Sequence, residues 1–135
     1  KTVKVEHRYV PLAGGSVAGV LEPSYRNEDW AKEQISKYCI EDSWFSAFDR
    51  KRSTVKDGTA GYSELWLGYV LSSGANWKGP IKDFRMVIDK GDPKALVSFC
   101  ADGVKKISPT QFEVRKTNFE PKADVNVLLI KWAQP

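Results

Sequence analysis

Three consecutive stretches decide the fold: Gly74-Ala-Asn-Trp-Lys-Gly-Pro-Ile81, Phe84-Arg-Met-Val-Ile-Asp89 and Leu96-Val-Ser-Phe-Cys100. The first is typical of a shaped turn, because glycine and asparagine tolerate positive φ and proline directs re-entry into a strand. The second alternates apolar and polar residues and the third is an apolar run, and both patterns predict β-strands. The sequence therefore indicates an antiparallel β domain.

Strand patterns continue on both sides of these stretches. Residues 3–9 alternate apolar and charged side chains, which predicts a half-buried strand, and residues 62–71 are apolar on both faces, which predicts a central strand. Asp102-Gly103 is a hairpin-type turn signal. Further strands are expected at 16–21 (or a loop there), 104–107, 112–116 and 126–133. The spacing predicts one antiparallel immunoglobulin-like β-sandwich over residues 1–135.

A helical insertion is predicted at residues 28–50. Asn27 is a good N-cap for a first helix over 28–39, with Trp30, Ile35 and Tyr38 near one face. Asp42 is a candidate cap for a second helical piece over 43–50. In that piece Trp44, Phe45 and Phe48 share one side. The insertion separates the first strands from the later ones.

Composition excludes some classes of protein. The chain has 135 residues, which suits one domain with a core, and a net charge of +4. The densest basic cluster, residues 50–52, is too short for a nucleic-acid footprint. No apolar run approaches the roughly 18 residues of a membrane span.

The first residue is Lys1 and a strand-like pattern follows at once, so we expect a mature or trimmed piece of a longer precursor.

Two cysteines, Cys39 and Cys100, are too few and too far apart for a zinc site. They are compatible with two buried thiols in a reducing compartment. They are equally compatible with one disulfide that closes a long loop. In the chain-entropy model such a closure stabilises the fold by about 4 kcal/mol. Composition alone leaves both interpretations open.

The 74–80 turn is the candidate binding site. Asn76, Trp77 and Lys78 would form a recognition loop at the end of the sandwich, with Trp77 presented to a ligand and Lys78 contacting an acidic group. The alternative is a purely structural turn in which Trp77 folds onto the sheet. The second interpretation is the more common outcome for such a turn.

Other candidate residues have plainer explanations. Trp30, Trp44, Trp66 and Trp77 would suit a sugar-stacking platform, but their spacing is not periodic and favours core packing. His7 is the single histidine, so a catalytic triad would have to use it. Its position in the middle of a predicted strand favours a buried or half-buried structural role. We assign no catalytic residue, metal ligand or cofactor motif.

Several long motifs resemble the bacterial domain-of-unknown-function family 4424. They are His7-Arg-Tyr-Val-Pro11, Tyr38-Cys39, residues 74–84, Leu96-Val-Ser-Phe-Cys100 and Thr110-Gln-Phe-Glu113. The resemblance implies a secreted or envelope protein of Gram-negative bacteria whose precursor has a signal peptide. It also implies that this chain corresponds to the C-terminal part of a longer protein. No catalytic residue or ligand comes with it.

The resemblance bears on the cysteines and on function. An oxidising periplasm favours a Cys39–Cys100 disulfide, because such bonds persist there. We expect a periplasmic or secreted non-enzymatic domain that binds a protein or a cell-envelope component. The alternative is a glycan-binding module that uses exposed tryptophans, and a third hypothesis is a hydrolase of envelope polymers. No cofactor, nucleic acid or transmembrane segment is expected.

Overall fold

A computed structural model describes residues 4–8, 14–16, 21–55, 61–69, 79–121 and 123–133. A single 3-10 turn at Pro23–Tyr25 precedes two α-helices. In chain order the elements are β1 Gly14–Ser16, α1 Asp29–Lys37, α2 Asp42–Arg52, β2 Tyr62–Tyr69, β3 Ile81–Asp89, β4 Leu96–Phe99, β5 Lys105–Lys106, β6 Gln111–Phe119 and β7 Val125–Trp132.

The described strands form two antiparallel sheets, one with the order β1-β2-β7-β4 and the other with the order β3-β6-β5. In the larger sheet β2 pairs with β7 from Tyr62 opposite Trp132 to Tyr69 opposite Val125. In the smaller sheet β3 pairs with β6 along its whole length. Each sheet contributes buried apolar side chains, such as Val127 and Val114. The mainly β, antiparallel prediction is confirmed, and the arrangement is consistent with a β-sandwich.

The predicted helical insertion covers one face of the four-stranded sheet. Phe48 of α2 is 0% exposed. Its ring lies parallel to Trp44 at 5.7 Å and edge-on to Tyr62 at 5.2 Å, and its centroid is 5.5 Å from that of Trp132. Alternate residues of a strand share a face, so Tyr62, Leu128 and Trp132 all point at the helices. The core cluster consists of Leu21, Tyr38, Ile40, Phe48, Tyr62, Leu128, Ile130 and Trp132.

Polar and covalent contacts connect the helices to β4, which is the last strand in the order of the larger sheet as described. The indole Nε1 of Trp44 donates a hydrogen bond to the Val97 carbonyl at 3.1 Å, and the Ser98 hydroxyl donates to the Tyr38 carbonyl at 2.8 Å. Cys39 and Cys100 form a disulfide with their Cα atoms 5.1 Å apart. The expected disulfide is therefore present. The Trp44 indole also satisfies the Val97 carbonyl, a backbone group that an edge strand would otherwise leave exposed.

The prediction of a half-buried strand at residues 3–9 is wrong for the part the structure describes. Residues 4–8 are in no strand and are exposed, with Val5 at 56%. His7 is exposed as well, which contradicts its predicted buried or half-buried role. Alternation buries a strand only when a partner accepts its backbone hydrogen bonds, and these residues pair with none of the described strands.

Two further details differ from the predictions. The N-cap positions are Glu28 and Glu41, not Asn27 and Asp42, and neither glutamate makes a side-chain capping bond. The acidic residue after each cap still favours the helix dipole. Asp102-Gly103 is not a hairpin turn: Gly103 has φ of 70° as expected, but the flanking strands β4 and β5 belong to different sheets.

We predict that the double variant C39S/C100S unfolds with a free energy about 4 kcal/mol lower than the wild type, because the disulfide closes a long loop in the unfolded chain. The two cysteines are separated by 61 residues. Guanidinium titration followed by tryptophan fluorescence measures the difference. Reduced wild type serves as the control and should match the variant. An unchanged midpoint would contradict the prediction.

We predict that Phe48→Ala lowers the free energy of unfolding by about 3–5 kcal/mol, since it leaves a cavity between three aromatic rings. Phe45→Ala on the same helix is the matched control, because Phe45 is only half-buried and should cost less. Urea denaturation of both variants tests the order. A larger loss for Phe45→Ala would place the centre of the core elsewhere.

Candidate functional site

The predicted binding residues Asn76, Trp77 and Lys78 lie outside the described residues. The ends of their segment are described: β2 finishes at Tyr69 opposite Val125, and β3 begins at Ile81 opposite Phe119. The end of β2 and the start of β3 therefore lie beside the start of β7 and the end of β6, respectively. Gly79 has φ of 86°, so its predicted positive φ is confirmed.

The four tryptophans in the described part of the chain differ in how deeply they are buried. Trp44 and Trp66 are half-buried and pack against the core cluster, as predicted, and Trp132 belongs to that cluster. Trp30 is 47% exposed, so its predicted core role is wrong. Ala31, at 0% exposure, faces the core from α1. Trp30, the residue before it, therefore faces solvent. Its ring lies 6.0 Å from that of Tyr25, which is also 47% exposed.

Arg26 follows Tyr25 directly in the chain and connects this segment to α2. Its guanidinium donates to the Asp49 carboxylate at 3.0 Å and to the Leu21 carbonyl at 2.8 Å. It also lies 4.1 Å from the centroid of the Phe45 ring, a cation–π contact. The Glu28 amide donates to the Tyr25 carbonyl at 3.0 Å. The segment between Tyr25 and Trp30 is thus attached to α2 through the Arg26 side chain, which contacts both Asp49 and Phe45.

A cavity of about 340 Å³ lies between α1 and the covered face of the larger sheet. We call it the α1 cavity. Its lining mixes apolar, aromatic and polar side chains: Leu21, Gln34, Lys37, Tyr38, Ile40, Glu64, Trp66 and Leu128. Glu64, on β2 between Ser16 and Ile130, is 0% exposed. The cavity therefore contains a carboxylate that is removed from bulk water.

Burial raises the pKa of the Tyr38 phenol above its usual 10.0, and the negative charge of Glu64 raises it further. Tyr38 is consequently a neutral hydroxyl at physiological pH, able to donate or accept a hydrogen bond. The sequence analysis missed Glu64 and this cavity. One signal was available, since Glu64 is a lone acidic residue within a strand that is otherwise apolar on both faces.

The other buried charged residue in the part of the chain that the structure describes has a structural role. Lys90 is 8% exposed, and its ammonium donates to the carbonyls of Pro93 at 3.0 Å and Ala95 at 2.8 Å, which closes the turn between β3 and β4. Desolvation lowers the pKa of Lys90.

Among the described residues no three His, Cys, Asp or Glu side chains are grouped to hold a metal ion. None of the described helices is long and apolar enough to cross a membrane.

A protein-family model described as Domain of unknown function (DUF4424) matches residues 1–128. The chain belongs to this family. The resemblance found in the sequence motifs is thereby confirmed. No curated protein and no solved structure matches this DUF4424 chain. Its function must therefore be argued from its own residues.

We predict that Tyr38 of the DUF4424 domain titrates above pH 10.0. Because the folded pKa is raised, the stability contributed by the neutral phenol is complete below 10.0 and is lost as pH rises. Difference absorbance between wild type and Tyr38→Phe isolates this titration. Glu64→Gln should lower the pKa of Tyr38 without restoring 10.0, because burial is the larger cause. An unchanged pKa in Glu64→Gln would contradict the charge contribution.

Proposed function

We propose that this domain is an extracytoplasmic, non-enzymatic binding module whose partner is a protein or a component of the cell envelope. The observation that carries the proposal is the exposed aromatic pair of Tyr25 and Trp30. Large aromatic side chains left in water on a well-ordered surface are typical of recognition sites.

The attachment of this segment to α2 through Arg26 strengthens the argument. Tyrosine and tryptophan provide a large contact area while losing few rotamers on binding, and arginine is the third residue type enriched at binding hot spots. Arg26 has a side chain only 18% exposed and holds the segment against Asp49. A partner would therefore meet a surface that is already ordered, which reduces the entropic cost of association.

The disulfide supports a periplasmic or secreted location. Disulfides form and persist in oxidising compartments and are rare in the cytosol. Both cysteines of this pair are exposed, so a reducing environment would reach the bond. We also propose an immunoglobulin-like sandwich, supported by the division of the described strands into sheets of four and three.

A glycan is the second candidate partner, and the exposure of Trp30 favours it. Apolar faces of sugars stack on aromatic rings, and a half-exposed indole provides such a face. Asn76, Trp77 and Lys78 remain a proposed second contact surface, in which Trp77 would stack and Lys78 would meet an acidic group.

We predict that Tyr25→Ala/Trp30→Ala binds its partner roughly 30-fold more weakly, the loss of about 2 kcal/mol expected for a hot-spot residue. The assay is affinity capture from a Gram-negative envelope fraction, followed by a binding titration with the recovered partner. Val104→Ser/Ile107→Ser is the matched control, because both side chains are 39% exposed on another part of the surface.

Three outcomes separate the proposals. Loss of binding in Tyr25→Ala/Trp30→Ala but not in the control supports the aromatic pair as the site. Loss only in Trp77→Ala/Lys78→Ala moves the site to the 74–80 segment. A quenched and shifted tryptophan emission on addition of oligosaccharides, absent from Trp30→Ala, identifies the glycan alternative. Equal binding by all variants would contradict both surfaces.

A further inference from the structure

Among the described strands, β3 is the long edge that the two sheets leave open. It is the first strand in the order of the smaller sheet and pairs with β6 alone among the described strands. The other edge strands are short or contacted by other elements. β1 has three residues, β5 has two, and β4 accepts a hydrogen bond from Trp44 and is followed by the disulfide at Cys100. Short strands and covering contacts are usual protections of a sheet edge.

Strand β3 is neither short nor paired on its open side with any described residue. It runs for nine residues, Ile81–Asp89, and contains neither proline nor glycine. Its pairing with β6 keeps one register from Ile81 opposite Phe119 to Asp89 opposite Gln111, so no bulge turns the edge away. Such an edge presents backbone N–H and C=O groups that can form hydrogen bonds with an added strand.

The solvent-facing side chains of β3 carry both signs of charge. Asp83, Arg85, Val87 and Asp89 alternate along the strand and are all exposed, with Val87 at 36%. The Nε atom of Arg85 donates to the Glu113 carboxylate at 2.6 Å, and the Arg85 side chain is 53% exposed. The two terminal nitrogens of this guanidinium make no hydrogen bond with a described residue. Asp83 forms no ion pair within the described part of the chain.

An edge strand that pairs antiparallel with its own copy forms a closed dimer, because one two-fold axis uses both edges. Exposed side chains must stay opposite exposed ones, so the axis passes through a residue of the strand. Like charges directly opposite each other are unfavourable, which excludes two alignments. An axis at Arg85 places two arginines opposite each other, and an axis at Met86 places Asp83 opposite Asp89.

An axis at Phe84 brings opposite charges together. Asp83 then lies opposite Arg85 of the second copy, and the symmetry forms this pair twice. The alignment pairs residues 81–87 of each copy. An axis three residues further along the strand also avoids opposed like charges, but it pairs only residues 85–89. Charge and overlap together therefore favour the axis at Phe84.

We propose that β3 binds β3 of a second copy of this chain, antiparallel about Phe84, so that two three-stranded sheets become one continuous sheet. Asp83 of each copy binds the terminal guanidinium nitrogens of Arg85 in the other. Val87, which is exposed in the single chain, lies opposite Ile81 of the second copy. This edge is distinct from the exposed aromatic pair, so the inference does not depend on the proposed binding function.

The first test requires no variant. Analytical ultracentrifugation of the full chain over a concentration series measures the monomer–dimer equilibrium. We expect a reversible dimer with a micromolar to sub-millimolar dissociation constant, because one strand edge is a small interface. Monomer alone at about 1 mM protein, or assemblies larger than a dimer, would overturn the proposal.

Charge exchange then tests the alignment. Asp83→Arg and Arg85→Asp should each weaken self-association by about tenfold or more, since each places like charges opposite each other. An equimolar mixture of the two variants should dimerise again, because one carries two positive charges at these positions and the other two negative charges. Asp102→Arg is the matched control, because it makes the same change at an exposed residue away from β3 and should dimerise like the wild type.

Two results would contradict the alignment about Phe84. One is wild-type dimerisation by Asp83→Arg, and the other is a mixture that stays monomeric while both variants are folded. Circular dichroism of each variant checks the fold, because Arg85→Asp also removes the hydrogen bond to Glu113. If Arg85→Asp does not fold, Asp83→Arg decides the question alone, since Asp83 forms no ion pair within the described residues.

Discussion

The packing of Phe48 between the helices and the larger sheet is the contact on which the rest of the structure depends. Its ring meets Trp44 on its own helix, Tyr62 on β2 and Trp132 on β7. Because Tyr62 and Trp132 lie opposite each other in the sheet, one side chain fixes α2 against two strands at once. The guanidinium of Arg26 lies 5.8 Å from the same ring, so the segment before α1 is positioned by this contact too.

Polar contacts at the edge of this core determine geometry more than stability. Glu22 accepts hydrogen bonds from the Arg52 guanidinium at 2.9 Å and from the Tyr62 hydroxyl at 3.0 Å. Partly exposed ion pairs contribute about 1 kcal/mol or less, so their main effect is to fix where side chains lie. The disulfide acts at another place, where it joins the segment between α1 and α2 to the residue that follows β4.

The layer of helices has two distinct sides. Its outer side carries the exposed pair Tyr25 and Trp30, and its inner side encloses the α1 cavity against the larger sheet, with Glu64 in the lining. Both arise because α1 is short and polar on most of its surface. It buries Ala31 completely and leaves space beside Tyr38 that larger inward side chains would have filled.

The sequence by itself determined the strands from β2 onward, both helices and the family, because alternation, helical periodicity and turn chemistry are local properties. It could not determine that residues 4–8 lack a strand partner, that Trp30 faces solvent, or that β4 and β5 belong to different sheets. Those outcomes depend on which segments pair across the chain. The buried carboxylate of Glu64 likewise appears only when α1 covers β2, since burial is a property of the packed layers and not of the residue.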